Sequence, residues 1–309
     1  MARPRSATTD YLIYVAVRVV VGVLQMLPYG LACVVARWLA WLAYRVDRRH
    51  RQVALDNLRH AFPGRYTEDG LHELVRAVYR HFGQVLIEML FIPRMLHPHN
   101  WRRHIRLATA RPLVDVLLSG RPVLIVTGHF GNWEMAGYAL AMLGFRSYAV
   151  ARPLDNPHLD RFLRRFRERT GQQLLAKKGE LDRIEGILQS GGIVCTLADQ
   201  DAGQRGLFVD FFGRPASTHK AVALLALEHR ALVVVAGAYR VGEPLVYEIR
   251  ATDVIDPAEY AGDPDAVRAL TARCTAALER LVRIDIRQYF WLHRRWKHQP
   301  PAKRDRRVA

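Results

Sequence analysis

Cysteine is scarce: Cys33, Cys195 and Cys274 are the three in 309 residues, and they stand far apart with no Cys-x-x-Cys or Cys/His spacing. That spacing excludes a disulfide framework and a thiolate zinc site, and is what inert buried thiols in a reducing compartment look like. The Gly-x-Ser-x-Gly elbow of serine hydrolases is missing, so a covalent acyl-enzyme route has no obvious nucleophile. Acidic residues are few, 29 against 46 Lys and Arg, which leaves a formal net charge of +17. Such an excess calls for an anionic partner: a phospholipid surface, a phosphorylated substrate, an acidic carrier protein or nucleic acid. Nucleic-acid binding is the rival reading from outside enzymology. It is weakened because no recognised nucleic-acid motif accompanies the charge and because it leaves the apolar N-terminus unexplained. There is no internal repeat.

Uninterrupted apolar runs of membrane-spanning length are also missing. The run at 11–27 is broken by Arg18, and a second at 31–44 follows Pro28-Tyr29-Gly30; each is marginal against the ~20 residues a bilayer requires. Arg3 and Arg5 precede the pair, and Arg45, Arg48, Arg49, His50 and Arg51 follow it. Basic flanks on both sides keep both ends in the cytoplasm and predict a helical hairpin, or two interfacial helices, seated in the cytoplasmic leaflet. A cleaved signal peptide does not fit, since Arg18 interrupts the apolar core. The alternative is that these helices belong to a soluble core.

Beyond residue 46 the chain divides into a helical stretch and an alternating one. Residues 47–62 mix Val53, Leu55, Leu58 and Phe62 with basic residues, as a surface-lying helix would, and Pro63-Gly64 ends it. Residues 67–91 carry apolar side chains at helical spacing. Beyond residue 104, apolar strand-like runs at 123–127, 147–151, 193–198, 232–238 and 245–249 alternate with helical stretches at 133–143, 157–170, 180–190, 217–230 and 265–284. That alternation predicts an α/β sheet with helices on its faces. The expected organisation is membrane-anchoring helices over 1–46, an amphipathic helical linker over 47–100, an α/β domain over 101–300 and a basic tail over 301–309.

The sharpest feature is VLIVTGHFGNWEMAG at 123–137, where a buried strand ends at Gly128-His129 and a helix begins near Asn132, a plausible N-cap with Glu134 in the first turn. On one continuous helix, positions five apart diverge by about 140°; a strand-to-helix turn lets His129 and Glu134 face each other. Acyl transfer from a thioester to an alcohol needs a base for the hydroxyl proton and a carboxylate that fixes the imidazole tautomer. His129 as general base oriented by Glu134 fits those roles, by direct attack without an acyl-enzyme. The helix N-terminus offers backbone N–H groups to a developing oxyanion.

HFGNWE resembles the His-x4-Asp/Glu motif of the late acyltransferases of lipid A biosynthesis, a branch of the lysophospholipid acyltransferase superfamily. Further segments match in order. RHRQVALDNLRHAFP at 49–63 is similar to the family's Asn-Leu-x-x-Ala-Phe-Pro segment, and ARPLDNPHLD at 151–160 to its Arg-Pro-x-x-Asn-Pro stretch. LADQDAGQRGLFVDFFGRPAST at 197–218 resembles its Asp-x-Asp-x-Gly block, with Asp210 where proline is common, and WLHRRWK at 291–297 its C-terminal signature. The resemblance implies an acyl-carrier-protein or acyl-CoA donor, an anionic glycolipid acceptor, no metal or other cofactor, and a site at the cytoplasmic face of the bacterial inner membrane. It also implies a glycerol-3-phosphate acyltransferase-like α/β fold, a central mixed sheet flanked by helices, with an N-terminal helical membrane-anchoring region. Phosphatidylinositol mannoside or another lysolipid is the alternative acceptor.

Remaining candidates are substrate-binding. Arg152 suits a phosphate of the acceptor or of the donor's phosphopantetheine arm. Asp199 and Asp201 follow a strand's carboxyl end, where they can orient the acceptor hydroxyl, hold Arg152 or stabilise a turn. Asn132 borders the motif, and Gly203 shapes the loop. Phe208, Phe211 and Phe212 are candidates for an acyl groove or for core. Thr218 reads as the cap of the helix at 219–230. Arg161, Arg164, Arg165, Arg167 and Arg169 crowd one helix and suit an acidic carrier protein or lipid phosphates. His293, Arg294, Arg295 and Lys297, interleaved with Trp291 and Trp296, suit a membrane interface.

Overall fold

A computed structural model describes residues 6–300 apart from 110, 170, 177 and 178, so the basic tail lies outside the described residues. The strand Val123–Thr127 (β2) is apolar through its first four residues because helices cover both of its sides. Leu124 and Val126 enter one core, and Val123 and Ile125 enter another. Around it lie Ile105–Thr109 (β1), Ser147–Ala151 (β3), Gln173–Ala176 (β4), Ile193–Leu197 (β5), Leu232–Arg240 (β8) and Tyr247–Ile255 (β9), in the order β1-β9-β8-β2-β5-β3-β4. Neighbours run parallel except for β8 with β9, so the expected central mixed sheet is present. A separate antiparallel hairpin joins Leu207–Phe211 (β6) to Arg214–Thr218 (β7).

One face of the sheet is covered by Leu181–Gln189 (α8), Ala221–His229 (α9) and Ala266–Ile284 (α10), whose Ile184, Ala226, Leu278 and Leu281 share a core with Leu124, Val194 and Val233. The same core takes in Leu55 and Leu58 from Arg48–Ala61 (α3) and Leu71, Val75 and Val78 from Glu68–Met95 (α4). The other face carries Arg111–Leu117 (α5), through Leu113 and Val116, and Trp133–Met142 (α6). Pro157–Glu168 (α7) lies beyond α6.

At the N-terminus, Ala7–Met26 (α1) buries only Asp10 and exposes Leu12, Val15, Val19, Val20 and Val23. It is long and apolar enough to cross a membrane. Tyr29–Val46 (α2) is two-faced. Ala32, Ala36 and Ala40 are buried, while Trp38, Trp41 and Leu42 point outward. Gly83 of α4 permits this close packing, since a Cβ there would stand 3.1 Å from the Ala36 carbonyl oxygen and the Ala40 Cβ.

Several expectations are corrected. The helix expected from 217 begins at Ala221, because Ser217 and Thr218 complete β7. Thr218 Oγ1 accepts from Arg295 at 2.7 Å and caps nothing. Part of the C-terminal aromatic and basic cluster is interior rather than interfacial: Trp291, Arg295 and Trp296 are buried, and the two indoles pack with Phe62, Phe211, Phe212 and Tyr289, while Arg294 and Lys297 stay exposed. Phe211 and Phe212 are thereby core. The hairpin and strands β1 and β4 are short and weakly patterned, and no local periodicity marks them.

Candidate active site

Thr127 and Leu197 close β2 and β5, and they are register partners in adjacent parallel strands. Two residues past each end, His129 and Asp199 are therefore brought side by side. Asp199 Oδ1 lies 2.8 Å from His129 Nδ1, and Asp199 Oδ2 accepts from the His129 backbone N–H at 2.8 Å. A carboxylate bonded to both the ring and the backbone of one histidine fixes its tautomer and its orientation. Among the described residues, Nε2 has no hydrogen-bond partner, and the side chain keeps 22% of its surface exposed. Burial pushes the His129 pKa down, but the charge and hydrogen bond of Asp199 and the charge of Glu134 outweigh it, so the imidazole ends above its ordinary 6.5. Asp199 itself is enclosed; burial works to raise its pKa, yet His129 and the nearby His293 carry it down to about 2.

Glu134 is close by but differently engaged. Its carboxylate is held by the Arg167 guanidinium, with Nε at 2.8 Å from Oε2 and Nη2 on Oε1, and by Trp133 Nε1 at 3.1 Å. The expectation that Glu134 orients the imidazole is thus corrected: Asp199 occupies Nδ1, and Glu134 reaches His129 through its charge and through Trp133. That indole stands edge-on to the imidazole, with ring centroids 4.9 Å apart.

The strand-to-helix turn forms as the sequence predicts. Asn132 is the N-cap of α6, its Oδ1 accepting from Met135 N–H at 2.9 Å. Gly131 has φ +60° and lies where a Cβ would overlap the Ala238 carbonyl, so glycine is required there. The Asn132 side chain faces the interior rather than an open site. It is fully buried, and its Nδ2 donates to Glu88 and Tyr247. Asp199, too, is buried, with its carboxylate engaged by His129.

The other candidates lie apart. Arg152 pairs with Asp155 at the surface, 3.2 Å away, and with Arg164, Arg167 and Asp160 it borders a small cleft beside α7. Asp201 accepts from Gly203 N–H at 3.2 Å and binds His298 Nδ1 at 2.6 Å, and Gly203 turns the loop with φ +79°. Arg167, counted in the sequence among docking arginines, was missed as a site residue; nothing local marks it, because its partner is 33 positions away. One trio, Glu185, Glu228 and His229, brings three possible ligand atoms within 4.8 Å of one another, and it shares no residue with this site.

Against the α5–α6 face of the sheet lies a cavity of about 160 Å³, lined by Leu113, Ile125, Ala136, Leu140, Ala149 and Cys195 among others. Its wall is almost wholly apolar, yet it includes Trp133, Glu134 and Arg167. The cavity therefore reaches the Trp133 indole that stands against the His129 ring, with the Glu134–Arg167 ion pair in the same wall. A base with an open Nε2, a fixed tautomer and an adjoining apolar slot can take a proton from one reactant while the slot holds an aliphatic chain of another.

The family described as bacterial lipid A biosynthesis acyltransferase matches residues 2–298 of the chain. The lipid A biosynthesis palmitoleoyltransferase of Escherichia coli (strain K12) is 25% identical over 280 residues, covering 89% of this chain and 87% of the relative. The lipid A biosynthesis lauroyltransferase of the same organism is 27% identical over 287 residues, covering 91% and 90%. A phosphatidylinositol mannoside acyltransferase of Mycobacterium tuberculosis (strain CDC 1551 / Oshkosh) is 29% identical over 160 residues, about half of each chain.

Proposed function

The chain belongs to the bacterial lipid A biosynthesis acyltransferase family, and from that premise we propose that it moves a fatty acyl chain from a thioester, on acyl-carrier protein or coenzyme A, to a hydroxyl of a lipid A precursor at the cytoplasmic face of the bacterial inner membrane. The observation that carries this reading is the apolar cavity whose wall holds Trp133, Glu134 and Arg167, with the Trp133 indole packed edge-on against the His129 ring.

In this reading the acyl chain lies in the cavity with its thioester carbonyl at the His129 end. His129 Nε2 takes the acceptor hydroxyl's proton as the oxygen attacks the carbonyl carbon. The tetrahedral intermediate collapses with cleavage of the carbon–sulfur bond, and the imidazolium returns its proton to the departing thiolate. Asp199 stabilises the imidazolium. Glu134 adds its negative charge and holds Arg167 and Trp133 in the cavity wall. Arg152, with Arg164 and Arg167 around the neighbouring cleft, is suited to a phosphate of the donor arm or of the acceptor. Asp201 and Gly203 shape the loop beyond Asp199. The chemistry needs no cofactor beyond the donor. The exposed apolar face of α1, with the excess positive charge, suits an anionic membrane surface.

The test is transfer of a radiolabelled acyl group by detergent-solubilised wild type, His129→Ala and Glu134→Ala, from acyl-carrier protein and from coenzyme A, to lipid A precursors, phosphatidylinositol mannosides and lysolipids. Wild type is expected to acylate a lipid A precursor. His129→Ala is expected to lose about 10³-fold or more in kcat. Acylation of a mannoside or lysolipid instead would reassign the acceptor, and a His129→Ala variant as fast as wild type would remove the general base.

A further inference from the structure

The turn that carries His129 and Glu134 is held from behind by a buried ionic cluster that hydrogen-bonds to neither side chain. Glu88, in the C-terminal half of α4, has no solvent exposure. Its carboxylate accepts from Arg240 Nε at 3.1 Å and Nη2 at 2.7 Å, from Asn132 Nδ2 at 3.2 Å and from the Tyr247 hydroxyl. Asn132 Nδ2 and Arg240 Nη2 both also donate to the Tyr247 oxygen, at 3.1 and 3.0 Å. Arg240 Nη1 donates to His81 Nδ1 at 3.0 Å, which leaves the His81 proton on Nε2, where it is given to the Gly131 carbonyl at 2.9 Å. Burial and the charge of Arg240 push the His81 pKa down to about 3, so this ring stays neutral.

Gly131 and Asn132 are the middle of the interval between His129 and Glu134. Both are therefore tied to α4, β8 and β9 through one carboxylate. A buried ion pair is weak evidence for stability, because desolvating two charges costs about what their attraction returns, and well-packed apolar residues often do better. A fully satisfied polar cluster does, however, accept only one geometry. The cluster also reaches the N-terminal helices: Gln84 Nε2 donates to the Tyr29 hydroxyl at 3.0 Å on α2 and to Glu88 at 3.4 Å.

We propose that Glu88, with Arg240 and Tyr247, is a positioning residue for acyl transfer, setting through Asn132 and Gly131 the spacing of His129 from Glu134. It rests on the reading of His129 and Glu134 as groups of the reacting site. Held this way, the turn keeps the His129 ring against Trp133 and the Glu134–Arg167 pair in the cavity wall, and misplacement of about 1 Å costs on the order of 100-fold in rate.

The test combines acyl-transfer kinetics, thermal unfolding and hydrogen exchange on the full detergent-solubilised chain. Tyr247→Phe removes one hydroxyl from a buried ring. It is expected to lower kcat about tenfold, with KM for both substrates and the melting midpoint near wild type. Asn132→Asp keeps the cap on Met135 but turns a donor into a second carboxylate facing Glu88; kcat is expected to fall about 100-fold. Adding Glu88→Gln should restore at least about tenfold of that loss. The amide introduced at position 88 donates to the carboxylate introduced at 132, and Arg240 keeps an anionic partner. The peptide 129–137 should exchange faster in both single variants while β5 does not change.

Wild-type kcat in Tyr247→Phe and Asn132→Asp would overturn the proposal. So would losses that simply multiply in the double variant, or unchanged exchange at 129–137. If wild type transfers no acyl group to any acceptor, the transfer reading fails, and exchange alone then decides whether the cluster orders the turn.

Discussion

A histidine can serve as a base only while neutral, so the shift at His129 dictates a pH dependence. Burial lowers its pKa, and Asp199 and Glu134 raise it further than burial lowers it. The acid limb of the kcat/KM profile is therefore expected above pH 6.5, the ordinary imidazole value. In Asp199→Asn the opposing charge is gone and burial prevails, so that limb should move to lower pH while the plateau falls by about 10³-fold or more, since the tautomer is no longer specified. A limb that stays in place would mean Asp199 does not act through the imidazole. The same pair makes stability pH-dependent. The Asp199 contribution is present above its ordinary 3.8 and is lost as pH falls toward about 2, and the His129 contribution is lost as pH rises through its raised value. Glu134 and Asp199 look alike in sequence, each an acid within reach of a strand end; their bonds separate them, because Arg167 takes one and His129 the other.

At the scale of elements, α5, α6 and the β2, β3 and β5 strands enclose the apolar slot. Its far end lies toward Leu117, Leu143 and Phe145, near the strands' beginnings, and its near end toward Trp133 and Glu134 at their carboxyl ends. Ala149, midway along β3, leaves that slot open because its side chain is small. Ala149→Phe is expected to shorten the preferred acyl chain, by roughly tenfold in relative rate for each pair of methylenes that no longer fits. A chain-length series assayed with both proteins checks this; an unchanged preference would place the chain elsewhere. The slot's strands were legible as apolar runs, but which of their residues face it was not, because a run covered on both faces shows no alternation.

At the scale of the whole molecule, α1 stands out with its apolar side chains exposed, and it touches the catalytic half through α7. Asn156 Nδ2 donates to the Asp10 carbonyl at 2.9 Å, and the Arg18 guanidinium lies 5.0 Å from the Phe162 ring. Membrane association is expected to survive a high-salt wash and to weaken when Val19 and Val20 are replaced by lysine, each charge costing about 2.5–3.5 kcal/mol at the centre of a spanning helix. Flotation of wild type and variant with anionic lipid vesicles reads this out. A variant that floats as wild type does would exclude α1 as the anchor.

The α/β class, the two N-terminal apolar helices, and the strand–turn–helix at 123–142 with its glycine and its Asn132 cap follow from the order of the residues alone. All of these depend on residues a few positions apart, where periodicity, capping and backbone sterics act directly. The pairings at the site follow instead from strand order and register. Because β2 and β5 are neighbours with Thr127 opposite Leu197, Asp199 and not Glu134 meets His129. Because α7 crosses beside α6, Arg167 closes on Glu134. Because the C-terminal segment folds back beneath Phe62 and Phe211, tryptophans and an arginine that read as interfacial are core. Pairings across tens of residues leave no local trace, since the free energy that selects them comes from burial and from hydrogen bonds completed only when the chain has closed upon itself.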